Sequence, residues 1–143
     1  MTPVVFINCS RHPFLEKIMD FQKEYETRTR NMLGRFLGER VLFAETGHGK
    51  PVVRCSAVIS EIIEVYTQEA WNKYLRAACI PAGSTYDWQP GTRKKVLYRL
   101  TDVVSCDPFT PPEGVRHGRV WMEYEPRINH RVPVSSAGVL LNR

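Results

Sequence analysis

Short runs of β-branched and aromatic residues, broken by Pro- and Gly-rich segments, dominate the chain, and helical spacing appears only twice. Residues 3–8, Pro-Val-Val-Phe-Ile-Asn, form an apolar block closed by polar Asn8 and Ser10, which predicts a buried strand. Residues 13–20 read as a helix. Phe14, Ile18 and Phe21 recur at helical spacing, Leu15 and Met19 flank them, and Pro13 suits a first helical position. Residues 22–30 then alternate: Tyr25, Thr27 and Thr29 have one parity, and Glu24, Glu26, Arg28 and Arg30 the other. That pattern predicts a strand with one charged face, which must meet water or line a polar pocket.

Residues 41–44 predict another buried strand, 46–51 a turn, and 52–63 a long strand returning as a hairpin. Residues 67–79 predict the second helix, with Thr67 as its cap, Glu69 in the first turn, and Trp71, Tyr74, Leu75 and Ala78 on one face. Pro81, Gly83, Pro90 and Gly91 make 80–92 a loop; residues 94–104 return to strand character. Pro108, Pro111, Pro112 and Gly114 mark a further loop, and 119–124 a last strand. About six strands and two helices, without β–α alternation, predict an α+β domain whose sheet curls or closes. It spans 1–125, and 126–143 forms a polar C-terminal tail with a short apolar patch at 139–141.

Composition adds little that is decisive. At 143 residues the chain fits one domain. A net charge of +5 permits an anionic partner such as nucleic acid, a nucleotide or a phosphate, and is equally compatible with ordinary surface charge. Cys9, Cys55, Cys79 and Cys106 lie far apart with no paired spacing, which argues against a disulfide framework or zinc site and favours the cytoplasm. His12, His117 and His130 are scattered and suggest no metal triad; no cofactor motif is present. The N-terminus lacks a basic region followed by a long apolar run, so neither a signal peptide nor a membrane association is expected.

The stretch Phe21-Gln22-Lys23-Glu24-Tyr25-Glu26-Thr27-Arg28 follows the first strand and helix. In that position it resembles the ASCH family, a relative of the RNA-binding PUA fold, whose pattern is Gly-x-Lys-x-x-Glu-x-Arg. Lys23, Glu26 and Arg28 match, and Phe21 replaces the leading glycine. Residues 38–41 resemble the family's turn into its next strand, and 95–104 its late strand, so the order of elements agrees over 3–124. The resemblance implies a compact PUA-like β-barrel with two flanking helices. It also implies a cleft that binds RNA or a nucleotide or nucleoside. Some members are hydrolases, acting on acylated cytidine or on RNA. The amidohydrolase branch uses a lysine, a threonine three residues later and a downstream glutamate. Lys23 matches the lysine, but Glu26 stands where the threonine would be, and the downstream region carries Tyr74, Arg76 and Asp87 instead.

Three readings of these residues stand side by side. In a binding module, Lys23, Glu26 and Arg28 line the cleft, Arg28 offering a bidentate fork for phosphate or carboxylate. In a hydrolase on a modified nucleoside or RNA, Lys23 and Glu26 form the catalytic pair, one activating the nucleophile and the other moving the proton. In a non-catalytic interaction domain the three are a structural ion-pair network. Strand parity places Glu26 and Arg28 together, and Lys23 joins them only through a bulge or turn. Ser10 either borders the pocket or caps the first helix. Tyr86, beside Asp87 and Trp88, either stacks on a base or packs at the loop base. His48, between Gly47 and Gly49, reads as a hairpin turn. Arg93, Lys94 and Lys95 are either phosphate contacts or a solvated loop end, and Arg116, His117 and Arg119 can extend such a patch.

Overall fold

The structure, a computed structural model, describes residues 1–126. Strand β1 (Thr2–Asn8) carries the first apolar block into the sheet, with Val4, Val5, Phe6 and Ile7 all buried. Burial of consecutive residues means that both faces of this strand are covered. β1 pairs in parallel with β3 (Arg40–Thr46) and antiparallel with β7 (Trp121–Tyr124). β3 turns into β4 (Val52–Val65), which pairs along most of its length with β5 (Lys95–Phe109). β2 (Tyr25–Arg28) lies on the far side of β5, and β6 (Val115–His117) on the far side of β7. The result is a mixed, mostly antiparallel sheet of seven strands in the order β2-β5-β4-β3-β1-β7-β6, with two short helices, α1 (Phe14–Met19) and α2 (Gln68–Asn72).

The sheet is strongly curled. Four steps separate β2 from β1, about 19 Å in a flat sheet and beyond the reach of an arginine side chain. Yet Nη2 of Arg28 on β2 donates to the Phe6 carbonyl on β1 at 2.9 Å. The main core fills the concave side: α1 contributes Phe14, Leu15 and Ile18, which pack with Phe43, Ala57 and Tyr98 of the sheet. A second cluster joins Trp71 and Ala78 to Tyr25 and Leu97. The hydrogen-bonded ladder runs from β2 to β6, and among the described residues no ladder joins those two edges.

Helix α1 ends in a Schellman motif. Phe21 N–H donates to the Ile18 carbonyl at 3.0 Å and Gln22 N–H to the Lys17 carbonyl at 2.9 Å, with Phe21 in the left-handed region at φ 61°. The aromatic residue thus adopts the conformation that glycine adopts freely. Lys23 N–H also reaches the Lys17 carbonyl, at 3.0 Å, so the turn is extended by one residue before β2 begins.

Four expectations need correction. The second helix does not run over 67–79: Thr67 does cap it, accepting from Ala70 N–H at 3.1 Å, but regular helix stops at Asn72. Beyond it the chain winds through irregular turns, mostly of i→i−3 type, at whose end the Ala77 carbonyl accepts from Glu24 N–H and the Ala78 carbonyl from Lys23 Nζ. β5 does not stop at residue 104 but continues through Pro108. There a single residue of β4, Arg54, faces Cys106, Asp107 and Pro108, so the missing N–H falls where the ladder is already interrupted. The Pro- and Gly-rich stretch after it contains β6, which pairs Val115 to Glu123 and His117 to Trp121. The last strand begins at Trp121 rather than 119. Of the tail expected at 126–143, all but Pro126 lies outside the described residues.

Candidate functional site

A cleft of about 630 Å³ opens between β2, the end of β1, the β3–β4 turn and the loop at 80–92. Lys23, Glu26, Arg28 and Tyr86 all line it. The alternation within β2 turns Glu26 and Arg28 to one side. Lys23 precedes the strand, and the Schellman turn swings it to that same side. A turn rather than a bulge therefore resolves the parity problem in the sequence pattern.

Lys23 is only 2% exposed. Its Nζ donates to the Ala78 carbonyl at 2.5 Å and lies 4.8 Å from the centre of the Phe14 ring. Burial pushes its pKa below the ordinary 10.5, against the opposing pull of the Glu26 charge. Glu26 is also buried; its Oε2 accepts from Arg28 Nε at 2.9 Å and lies 2.9 Å from Arg28 Nη2 in an ion pair. Its other oxygen, Oε1, has no hydrogen-bond partner among the described residues. No ion pair joins Lys23 to Glu26, and each is fixed by its own partner.

Lys95, the first residue of β5, is a second buried lysine on the cleft wall. Its Nζ donates to the Tyr86 carbonyl at 2.9 Å and lies 5.1 Å from the centre of the Trp71 ring. Burial lowers its pKa, while the Asp87 carboxylate opposes the shift. Sequence reasoning had it only within a basic run. The available signal was strand alternation, which sends Lys94 and Lys95 to opposite faces.

The loop at 80–92 is pinned by Asp87, whose Oδ1 accepts from Trp71 Nε1 and Trp88 N–H, both at 2.7 Å, and whose Oδ2 accepts from Gly83 N–H at 2.8 Å. Burial raises its pKa, but these donors and the Lys95 charge outweigh that and hold the carboxylate below its usual range. Asp87 thereby sets the position of Tyr86, which meets Phe14 edge-on at 5.0 Å and His12 at 5.8 Å. Tyr86 both packs at the loop base and faces the cleft.

Ser10 stands apart. It is exposed, does not line the cleft, and gives its hydroxyl to Asn8 Oδ1 at 2.7 Å. It does not cap α1, whose N-cap is Pro13. Gly47 does line the cleft; at φ 102°, a Cβ there would sit 2.8 Å from Ser10 N. His48 points its Nε2 at the Cys9 carbonyl, 3.0 Å away, and braces this turn. Arg116, over the Phe6 ring at 4.7 Å, and Arg119 form an exposed rim. Among the lining residues five cationic side chains (Lys23, Arg28, Lys95, Arg116, Arg119) meet one carboxylate, Glu26, a balance that favours an anionic ligand.

Cys9, Cys55, Cys79 and Cys106 are all unpaired, and burial raises the Cys9 thiol and pushes Cys55 up to about 12. Among the described residues no three His, Cys, Asp or Glu side chains are grouped to hold a metal ion, and no helix is long and apolar enough to cross a membrane.

No protein-family model and no curated protein matches the sequence. The fold does match solved structures. The crystal structure of ASCH from Zymomonas mobilis superposes with a TM-score of 0.62 at 24% identity, over 75% of this chain and 73% of that one. Two point mutants of the same Zymomonas mobilis protein match with the same TM-score, at 24% and 23% identity, again over 75% of this chain and over 75% and 73% of theirs. The chain therefore has an ASCH-like fold.

Proposed function

We propose that the cleft binds RNA or a nucleotide or nucleoside, with Lys23, Glu26 and Arg28 as its polar floor and the sheet curling around them as a PUA-like barrel. The observation that carries this reading is the set of buried, individually anchored charges on one cleft wall: Lys23, Glu26 and Lys95. Burying charges is costly unless they do something for the fold or for a ligand. Lys23 and Lys95 each use one hydrogen bond of three available donors, which leaves N–H groups for phosphate or base carbonyl oxygens. Glu26 Oε1 can accept from a base amino or imino group. Tyr86 offers a ring edge or face to a base, while Ser10, outside the lining, touches the site only through its neighbour Gly47. The four unpaired cysteines suit a reducing compartment such as the cytoplasm.

A hydrolase is the second reading, favoured by one observation. Burial lowers the Lys23 pKa, which brings a neutral amine nearer to physiological pH, and Glu26 sits close enough to influence it. Lys23 would then activate the nucleophile and Glu26 shuttle the proton.

Isothermal titration with the four nucleoside monophosphates and a short oligoribonucleotide tests binding. Mass-spectrometric turnover of acylated nucleosides, other modified nucleosides and RNA tests hydrolysis, with Lys23→Ala alongside the wild type. Binding that weakens with salt and falls at least tenfold in Lys23→Ala, without product, supports the module. Product from wild type alone establishes the hydrolase, and neither binding nor product refutes both.

A further inference from the structure

A second groove, about 570 Å³, adjoins the cleft. Thr29, the residue after β2, lines both. Because Arg28 pairs with Val96, Thr29 stands beside the start of β5, where Lys95 faces the cleft and Lys94 and Arg93 face the groove. The opposite side of the groove is Tyr66, 62% exposed. So large an exposed aromatic surface has no role in the core.

The aromatic ring is nonetheless held in place. Tyr66 Oη donates to Glu64 Oε1 at 2.5 Å, and Glu64 Oε2 in turn lies 3.5 Å from Lys94 Nζ. The Glu64 charge is thus spent on Tyr66 and Lys94. Arg93 is exposed and has no hydrogen bond or ion pair among the described residues, so its guanidinium is the cation left for a ligand. A fixed ring with a free arginine beside it is the arrangement that stacks a base and holds the adjoining phosphate.

We infer that this groove seats the nucleotide next to the one held in the cleft, so that the ligand is a single-stranded oligonucleotide rather than a free nucleoside or mononucleotide. The inference rests on the cleft being a nucleotide site. The chain of the ligand passes over Thr29, which lines both cavities.

The test is fluorescence anisotropy with a labelled, short, random-sequence oligoribonucleotide, displaced by the unlabelled oligomer or by each nucleoside monophosphate. Wild type is expected to bind the oligomer about 10- to 100-fold more tightly than any monophosphate, the span of one stacked base. Tyr66→Ala is expected to remove most of that advantage. Arg93→Ala is expected to weaken oligomer binding and to lower the salt slope by about one. Equal affinity for oligomer and monophosphate, or an unchanged oligomer affinity in Tyr66→Ala, overturns the groove while leaving the cleft intact. Wild type that binds neither probe overturns both.

Discussion

Phe21 gives a stability prediction that can be isolated from everything else in the molecule. Its φ of 61° places an aromatic residue in the left-handed region at the C′ position of α1, and its side chain is 72% exposed. An L-residue other than glycine is strained there by about 1–2 kcal/mol. Glycine escapes that strain but costs about 0.5–1 kcal/mol more than alanine in backbone entropy on folding. Phe21→Gly and Phe21→Ala both lose the same ring, so comparing them cancels its contacts. The glycine variant should be the more stable by about 0.5–1 kcal/mol, or roughly 2–4 °C in Tm for a domain of this size. Urea titrations of the two variants, read by far-UV circular dichroism with a common m-value, provide the check. Equal stability, or a more stable alanine variant, would refute the Schellman ending and with it the turn that swings Lys23 into the cleft.

Arg28→Ala leaves the buried Glu26 carboxylate without its partner and should cost about 3 kcal/mol in chemical denaturation, whereas Glu26→Gln, which strands no anion, should cost about 1 kcal/mol. The depressed Lys23 pKa means that the folded protein binds fewer protons than the unfolded chain between that lowered value and 10.5. Stability should therefore rise with pH through that window, Lys95 adding a slope of the same sign, and Lys23→Met should flatten the Tm–pH curve without abolishing it. Thr67→Ala removes the side-chain cap of α2 and should cost about 1 kcal/mol in urea unfolding while leaving ligand affinity unchanged, since Thr67 lies outside the cleft.

The parts of this molecule legible in its sequence are those where local pattern and tertiary environment agree. β1, α1 and β4 are clear because their apolar periodicity is also their burial pattern. Glu26 and Arg28 are legible because strand parity puts them on one charged face, whereas Lys23 is marked only by the motif resemblance; all three line the cleft. The failures share a different cause. Residues 73–79 keep helical periodicity, yet successive i→i−3 bonds from Lys73, Tyr74 and Leu75 N–H replace the α-helical ladder there, a change of winding that the apolar spacing does not reveal. Pro108 marks a break only if the ladder is intact around it, and a three-against-one mismatch with Arg54 is a tertiary fact. β6 is three residues of a Pro- and Gly-rich stretch that becomes a strand only because β7 offers an open edge. Lys95 was hidden among Arg93 and Lys94, and its destination depends on where β5 begins.

The cleft floored by Lys23, Glu26 and Arg28 is the proposed seat of the ligand. The most direct measurement is a ¹⁵N–¹H correlation titration of the assigned protein with a nucleoside monophosphate. Saturable shifts are expected, confined to the cleft-lining segments around residues 23–29, 46–49 and 85–87. Saturable shifts that leave those segments unmoved and fall elsewhere on the surface would contradict that placement.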